Sequence, residues 1–432
     1  MHPLAQKTND DLPASIMRML SRRGRSAYFP AAGILGQSAE AKGATINATI
    51  GIALDDSGEP MHLPGLSDVV GVDPRDAFPY APSYGKPALR AQWQAMMRVK
   101  NPSLAGVSIS SPVVTNALTH ALSVAGALFL DPDDVLIMPD RFWGNYRLIF
   151  EHGFDARIDT YPTFIDDGYN VDGLREKLLE GPIGKRVVIL NFPNNPTGYT
   201  CTEAEGRAIC QVLLEAAEAG HDVVALIDDA YFGLVYEDGI MKESIFAMLA
   251  DAHPRLLAVK IDGATKEDFA WGYRVGFLTY GYGEATTTGL KALEDKTAGL
   301  VRGSISNASH VSQSMLLTAY QSDQYPDWKQ QAFDVMFSRY QAVRTVFNDR
   351  PEYRNRFVPL PFNSGYFLCV RPIEPGITPE AIRRLLLERY DTGVIATGDA
   401  VRIAFSSTSA ASIPLLFDHL ASAIDLLAAE RT

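Results

Sequence analysis

The sequence predicts an α/β protein: a mainly parallel sheet covered by helices, joined to a smaller α+β unit built from both chain ends. Three observations carry this expectation. Short apolar runs recur from about Val107 onward, with helical stretches between several of them, the alternation that makes parallel sheets covered on both faces. The texture changes near Trp328, where one long amphipathic stretch replaces the short runs. The length of 432 residues, with 47% hydrophobic and 21% charged residues, is a globular balance too large for one small core.

The elements follow in chain order. Leu12, Ile16, Met19 and Leu20 have helical spacing, and a segment punctuated by Gly and Pro runs from there through Gly36. Strands are expected at Val113–Val114, Val135–Met138, Val187–Leu190, Val223–Ile227, Leu256–Ile261 and Val275–Thr279, with a helix at Glu203–Glu218 between the third and fourth. Phe333, Met336, Phe337, Tyr340, Val343 and Phe347 then recur three or four apart, which predicts a long helix over Trp328–Phe347. A strand at Tyr366–Val370, a helix at Pro379–Tyr390, a strand at Val401–Phe405 and a terminal helix complete the pattern. The division expected is a large domain over 61–327 and a small one from 1–60 and 328–432.

Charge and composition exclude several classes. Lys and Arg number 39 against 51 Asp and Glu, a formal charge of −12, which disfavours a nucleic-acid or anionic-membrane surface. Cys201, Cys210 and Cys369 are scattered, so neither a disulfide scaffold nor a thiolate zinc site is expected. The eight histidines form no metal-like cluster, and His120 and His310 are read as structural. The longest apolar run, Ala121 to Leu130, is ten residues, well short of a bilayer crossing. The N-terminus lacks the apolar core of a secretory signal, so a cytoplasmic protein is the expectation.

Ligands of open α/β sheets sit at the carboxyl ends of the strands, so the residues that follow each apolar run are the ones to inspect. They are Thr115-Asn116-Ala117-Leu118-Thr119, then Pro139 to Trp143, Asn191 to Gly198, Asp228 to Tyr231, and Asp262 to Lys266. An aromatic, an amide, a carboxylate, a phenol and a lysine thus converge on one rim. That set suits pyridoxal 5'-phosphate: a lysine forms a Schiff base with its aldehyde, and a carboxylate keeps the ring nitrogen protonated. Amide and phenol donors hold the ring oxygen, an aromatic stacks on the ring, and N–H groups at a helix start take the phosphate.

The sequence resembles the fold-type I pyridoxal-phosphate aminotransferases of class I/II, with the aspartate and aromatic aminotransferases as the nearest pattern, from about Ile46 to Phe405. Asn195-Pro196-Thr197-Gly198 is similar to the family's Asn-Pro-x-Gly turn, Asp228-x-x-Tyr231 to its Asp-x-x-Tyr, and Lys266 with Arg274 eight residues later to its Schiff-base lysine and phosphate-binding arginine. The resemblance implies a seven-stranded sheet and the following roles. Lys266 would hold the cofactor and then shuttle a proton between the substrate α-carbon and the cofactor's C4′. Asp228 would pair with the ring nitrogen, Asn195 and Tyr231 would bond the ring oxygen, and Trp143 would stack on the ring. Ala117, Leu118 and Thr119 would meet the phosphate, with Arg274 adding a charge-assisted contact. Tyr80-Ala-Pro-Ser-Tyr84-Gly85 resembles the segment whose tyrosine reaches the neighbouring subunit's phosphate; Tyr80 is preferred and Tyr84 competes. Either tyrosine implies a homodimer with shared sites. Gly51 would line the substrate carboxylate, and Arg402 would grip it through a bidentate fork. The family's hydroxyl residue three positions before the lysine is here Gly263, and Ala117-Leu118 replaces a smaller or more polar pair.

Arg302 resembles the arginine that reaches across the dimer to a dicarboxylate side chain, and a surface arginine on a helix start is the alternative. With it, glutamate and 2-oxoglutarate, and aspartate or an aromatic amino acid, are the expected amino acid and 2-oxo acid substrates. Other pyridoxal-phosphate reactions, a β-lyase or an aminocyclopropane-type synthase, would share the same cofactor residues. An amino-acid-sensing regulator of this fold would carry a winged-helix domain, and about 45 residues before Ile46 are too few for one.

Overall fold

The computed structural model describes residues 2–30 and 33–430. Residues 1, 31, 32, 431 and 432 of the expected small domain lie outside the described residues. Seven strands form the main sheet: β1 (Val113–Asn116), β2 (Val135–Pro139), β3 (Arg157–Tyr161), β4 (Lys185–Asn191), β5 (Asp222–Asp228), β6 (Leu256–Gly263) and β7 (Val275–Tyr282). Their spatial order is β1-β7-β6-β5-β4-β2-β3. All pairs are parallel except those of β7, which runs antiparallel to both β1 and β6. The six expected runs all became strands of this sheet. The seventh, β3, has the sequence Arg-Ile-Asp-Thr-Tyr and lies at the edge, where one partner strand suffices and the apolar signal is weak.

Central strands read as continuous apolar runs because both faces are covered. Val187–Leu190 of β4 and Ala225–Ile227 of β5 are almost wholly buried. Helices α1 (Pro87–Lys100), α2 (Ala117–Phe129) and α3 (Glu203–Glu218) pack against the sheet. Trp93 of α1 stacks on Phe277 of β7 at 4.3 Å between ring centroids. Helix α3 starts where predicted because Thr202 and Glu205 form a capping box that satisfies backbone donors from both directions. The tight connection from β6 to β7 contains α4 (Ala264–Glu267), a helix of four residues.

Past α5 (Thr287–Ile305) and α6 (His310–Tyr320) comes α7 (Tyr325–Asp349), whose buried face is Ala332, Met336, Arg339, Tyr340, Val343 and Val346. A second, antiparallel sheet has the order β8-β9-β11-β10, from β8 (Phe357–Pro359), β9 (Phe367–Pro372), β10 (Ile395–Thr397) and β11 (Ala400–Ala404). Helices α8 (Pro379–Tyr390) and α9 (Ile413–Ala429) pack beside it. Ile46–Asn47 pairs in parallel with Thr392–Gly393, tying the N-terminal segment to this second unit.

The helix expected at Leu12–Leu20 is shorter. Pro13 cannot continue a preceding turn and becomes the N-cap of Ala14–Met19, whose residues are not buried. The first helices also lie against the large sheet's surroundings: Arg22 pairs with Asp155 at 2.5 Å, and His2 stacks on Tyr28 beside His152. Among the described residues no helix is long and apolar enough to cross a membrane.

Candidate active site

A cavity of about 860 Å³ opens at the carboxyl rim of the large sheet, between it and the second sheet. Gly51, Ala117, Leu118, Thr119, Trp143, Asn195, Asp228, Tyr231, Lys266, Arg274 and Arg402 all line it. These eleven residues come from segments separated by up to 351 positions of chain. Strand topology explains the convergence. Asn191 and Asp228 end the parallel neighbours β4 and β5, where they stand in register. Because β7 is antiparallel, Arg274 enters at the same rim that Lys266 leaves, with Gly276 opposite Gly263 and Val275 opposite Asn116.

Asp228 is buried, and its carboxylate accepts the Tyr146 hydroxyl at 2.5 Å and the Ala230 N–H at 3.1 Å. Burial pushes its pKa up, opposed by Tyr146, Lys266 and the Ala230 amide. The amine of Lys266 lies 5.1 Å from the Tyr231 ring centroid and has neither a hydrogen bond nor an ion pair among the described residues. Burial pushes its pKa down; Asp228 opposes this and Arg274 adds to it. Burial raises the Tyr231 phenol, against the field of Arg402 and a hydrogen bond with Asn195.

Arg402 is 2% exposed and has no carboxylate partner among the described residues. Its Nη1 donates to Asn195 Oδ1 at 3.3 Å and Nη2 to the Thr49 carbonyl at 2.9 Å, while Nε is buried without a partner. Its guanidinium lies 4.4 Å from the Phe367 ring centroid. A buried guanidinium left this way is unfavourable unless an anion completes it.

The Asn-Pro-Thr-Gly turn is held between the two sheets. Asn195 N–H donates to Asn191 Oδ1 at 2.9 Å, and the Gly198 carbonyl accepts the N–H groups of Asn363 and Ser364 at 2.9 Å each. Gly198 has φ +72°, and a Cβ there would lie 1.8 Å from the Phe367 carbonyl oxygen, so glycine is required.

At the phosphate end, Ala117 at φ 61° turns the chain into α2, whose first three residues, Ala117, Leu118 and Thr119, line the cavity. The departure at Gly263 has a steric cause, since a Cβ there would meet the Val275 carbonyl oxygen at 2.6 Å. A hydroxyl residue nearer the lysine, Thr265, does line the cavity, and its Oγ1 is buried without a partner. The contacts that Thr265, Asn191 and Tyr146 make have no sequence signal of their own, because a hydroxyl before the lysine and polar residues near strand ends are too common to reveal their partners.

Two expected residues stand elsewhere on this chain. Arg302 is exposed on α5 and does not line the cavity, and Tyr80 is 89% exposed. Tyr84, its competitor, donates its hydroxyl to Asp295 at 2.7 Å. Among the described residues no group of His, Cys, Asp and Glu could hold a metal ion.

A covered sheet whose rim brings together a helix start, a buried carboxylate and a lysine without hydrogen-bond or ion-pair partner among the described residues fits a pyridoxal-phosphate site. The chain belongs to the aminotransferase class I and II family, whose description matches residues 71–420. It is 29% identical over 167 residues to the aspartate aminotransferase of Musicola paradisiaca, covering 38% of this chain and 39% of that protein. It is 26% identical over 290 residues to the aspartate aminotransferase of Geobacillus stearothermophilus, covering 66% and 67%. The chain therefore spans well under half the length of the Musicola protein in that match. Among solved structures, an aminotransferase from Anaerococcus prevotii superposes with a TM-score of 0.81 at 24% identity, covering 94% of this chain and 98% of the other. An aromatic amino acid aminotransferase from Burkholderia cenocepacia does so with 0.73 at 21%, covering 92% and 98%. These likenesses show the fold. The family depends on pyridoxal phosphate, and the residues present fit it. The orphaned Thr265 hydroxyl, the unpaired Lys266 amine and the buried Asp228 are what its phosphate, aldehyde and ring nitrogen require.

Proposed function

We propose that this chain is an aminotransferase that moves an amino group between an L-amino acid and a 2-oxo acid. Glutamate and 2-oxoglutarate form one pair, and aspartate or an aromatic amino acid with its oxo acid the other. The single observation that carries the reading is the positive charge gathered in the cavity: Lys266, Arg274 and Arg402 line it together, and the buried Asp228 carboxyl acts on Lys266. Bound there, the pyridoxal ring supplies an aldehyde for exchange between the lysine and substrate amines, and a protonated nitrogen that accepts the electron pair left at the α-carbon.

The chain's own residues do the rest. Arg402 takes the substrate α-carboxylate on the face where its Nε lacks a partner, and so sets the α-carbon beside Lys266. Lys266 Nζ, its pKa lowered by burial, is the base that removes the α-proton. Asp228, held by Tyr146, keeps the proton on the ring nitrogen. Asn195 and Tyr231 hold the ring oxygen, Trp143 covers the ring face, and the first turn of α2 with Thr119, Thr265 and Arg274 meets the phosphate.

The same reading extends to assembly. A homodimer with shared sites is proposed, with exposed Tyr80 reaching the neighbouring phosphate and Arg302 the substrate side chain. Residues 61–327 are proposed as the cofactor domain, 1–60 with 328–432 as the smaller one, and the cytoplasm as the location. The test is the visible spectrum of the purified protein, with single amino acids added in the absence of an acceptor. The band of the lysine-bound cofactor should bleach with glutamate, aspartate or tyrosine and return with an oxo acid, and Lys266→Ala should abolish the response. Absence of any chromophore after incubation with pyridoxal phosphate would sink the reading. Pyruvate and ammonia released from a β-substituted donor without an acceptor would assign a lyase instead.

A further inference from the structure

Directly behind the lysine lies a buried charge cluster that the reaction above does not use. Glu267 and Asp268, the two residues after Lys266, are 2% and 0% exposed. The Asp268 carboxylate accepts the hydroxyls of Tyr320 and Tyr325 at 2.7 Å each and the Lys329 amine at 3.0 Å. Lys329 also donates to the backbone carbonyl of Glu267, and Lys100 to the Glu267 carboxylate. Three helices thus meet at this point: the end of α1 through Lys100, the end of α6 through Tyr320, and the first turns of α7 through Tyr325 and Lys329.

We propose that Asp268 and Lys329 are positioning residues, which fix the four-residue helix α4 and thereby the direction in which Lys266 presents its amine. Four residues cannot hold a helical turn unaided, because nucleation is unfavourable and few hydrogen bonds repay it. No side chain caps the start of α4, so its N-terminal end adds no such restraint. The Lys266 backbone carbonyl accepts the Tyr366 hydroxyl at 3.3 Å, but its amine has no hydrogen-bond or ion-pair partner among the described residues. Thr265 and Lys266 line the cavity, whereas Glu267, Asp268 and Lys329 do not, so the cluster acts through the backbone and not on the ligand. Burying such charges is a poor route to stability alone, since apolar replacements of similar volume commonly serve as well. The arrangement fits a requirement for direction.

This inference rests on the reading that Lys266 condenses with pyridoxal phosphate, and two probes separate the questions. Pyridoxal 5'-phosphate needs the lysine amine in place. Pyridoxamine 5'-phosphate fills the same cup without condensing. Binding of each to the cofactor-free full chain is measured for the wild type, Lys329→Met, Lys329→Arg and Asp268→Asn, alongside thermal melting. The expected result is roughly tenfold or greater loss for pyridoxal phosphate in K329M and D268N, with pyridoxamine phosphate changed less than about twofold, and partial recovery in K329R. Should K329M fail to fold, D268N carries the comparison, because its near-isosteric amide keeps an oxygen for one tyrosine and offers an N–H to the oxygen of the other. Equal losses for both probes, or no loss for either, would overturn the positioning role. Failure of the wild type to take up either probe would overturn the cofactor reading itself, and this inference with it.

Discussion

Arg402 shows how a single side chain can state its own requirement. Two of its nitrogens are satisfied by Asn195 and Thr49, the third is buried without a partner, and among the described residues no carboxylate pairs with it. Replacing it with lysine keeps the charge and removes the planar fork. The expected outcome for Arg402→Lys is a rise in KM of about 100-fold for every amino acid donor, with kcat changed less, measured by steady-state kinetics across the donor panel. Asp262 carries a second prediction at this scale. It is buried, accepts Trp93 Nε1 at 3.2 Å and lies 3.5 Å from the Lys260 amine. Burial pushes its carboxyl up to about 6, against Lys260 and Lys100. A carboxyl that holds its proton more tightly in the folded chain contributes stability below its unfolded value near 4, and loses it as pH rises toward 6. Asp262→Asn should therefore flatten the fall in stability between about pH 4 and pH 6, by up to roughly 3 kcal/mol. Chemical denaturation across that range, compared with the wild type, checks it. A wild-type curve with no extra fall relative to the variant would contradict the assignment.

At the scale of elements, the Asn195–Gly198 turn joins the two sheets as well as presenting the amide. The Gly198 carbonyl accepts two backbone N–H groups and the Ser364 hydroxyl, and its α-carbon sits against the Phe367 carbonyl. Gly198→Ala introduces both a positive-φ penalty and a clash with backbone that cannot rotate away. The variant should lose more than about 2 kcal/mol of stability and retain pyridoxal phosphate less well, read from denaturant midpoints and the visible band after gel filtration. Helix α7 has a comparable double duty. Its first turns hold Asp268 through Tyr325 and Lys329, and further along Arg339 reaches the Ser406 carbonyl and Asp56 beside the second sheet. The lysine's helix and the segment following Arg402 are thereby attached to one rigid rod.

For the whole molecule, the decisive question is whether each site is completed by a second copy. Tyr80 is exposed here and Tyr84 is already bonded within the chain, which favours Tyr80 as the residue offered to a neighbour. If sites are shared, a hybrid of a Lys266→Ala chain with a Tyr80→Ala chain contains one site carrying both changes and one carrying neither. Mixing two nearly inactive variants should then restore activity to about a quarter of the wild type, since random pairing makes half the dimers hybrid. No recovery in hybrids verified by mass would place Tyr80 outside the shared site.

The sequence by itself determined the fold class and the cofactor chemistry of this protein. Six apolar runs became six strands of one sheet, and the residues following them, Asn195, Asp228, Tyr231 and Lys266 among them, share its rim, because strand periodicity and burial are local and additive along the chain. Only the tertiary structure decided the rest. The edge strand Arg157–Tyr161 is too polar to announce itself, the antiparallel turn of β7 is what brings Arg274 to the rim, and the exclusion of any Cβ at Gly263 depends on β7 lying against it. Tyr146 on Asp228 and Lys329 on Asp268 join residues 82 and 61 positions apart. Contacts of that kind have no period and no motif, because they exist only once distant elements have packed.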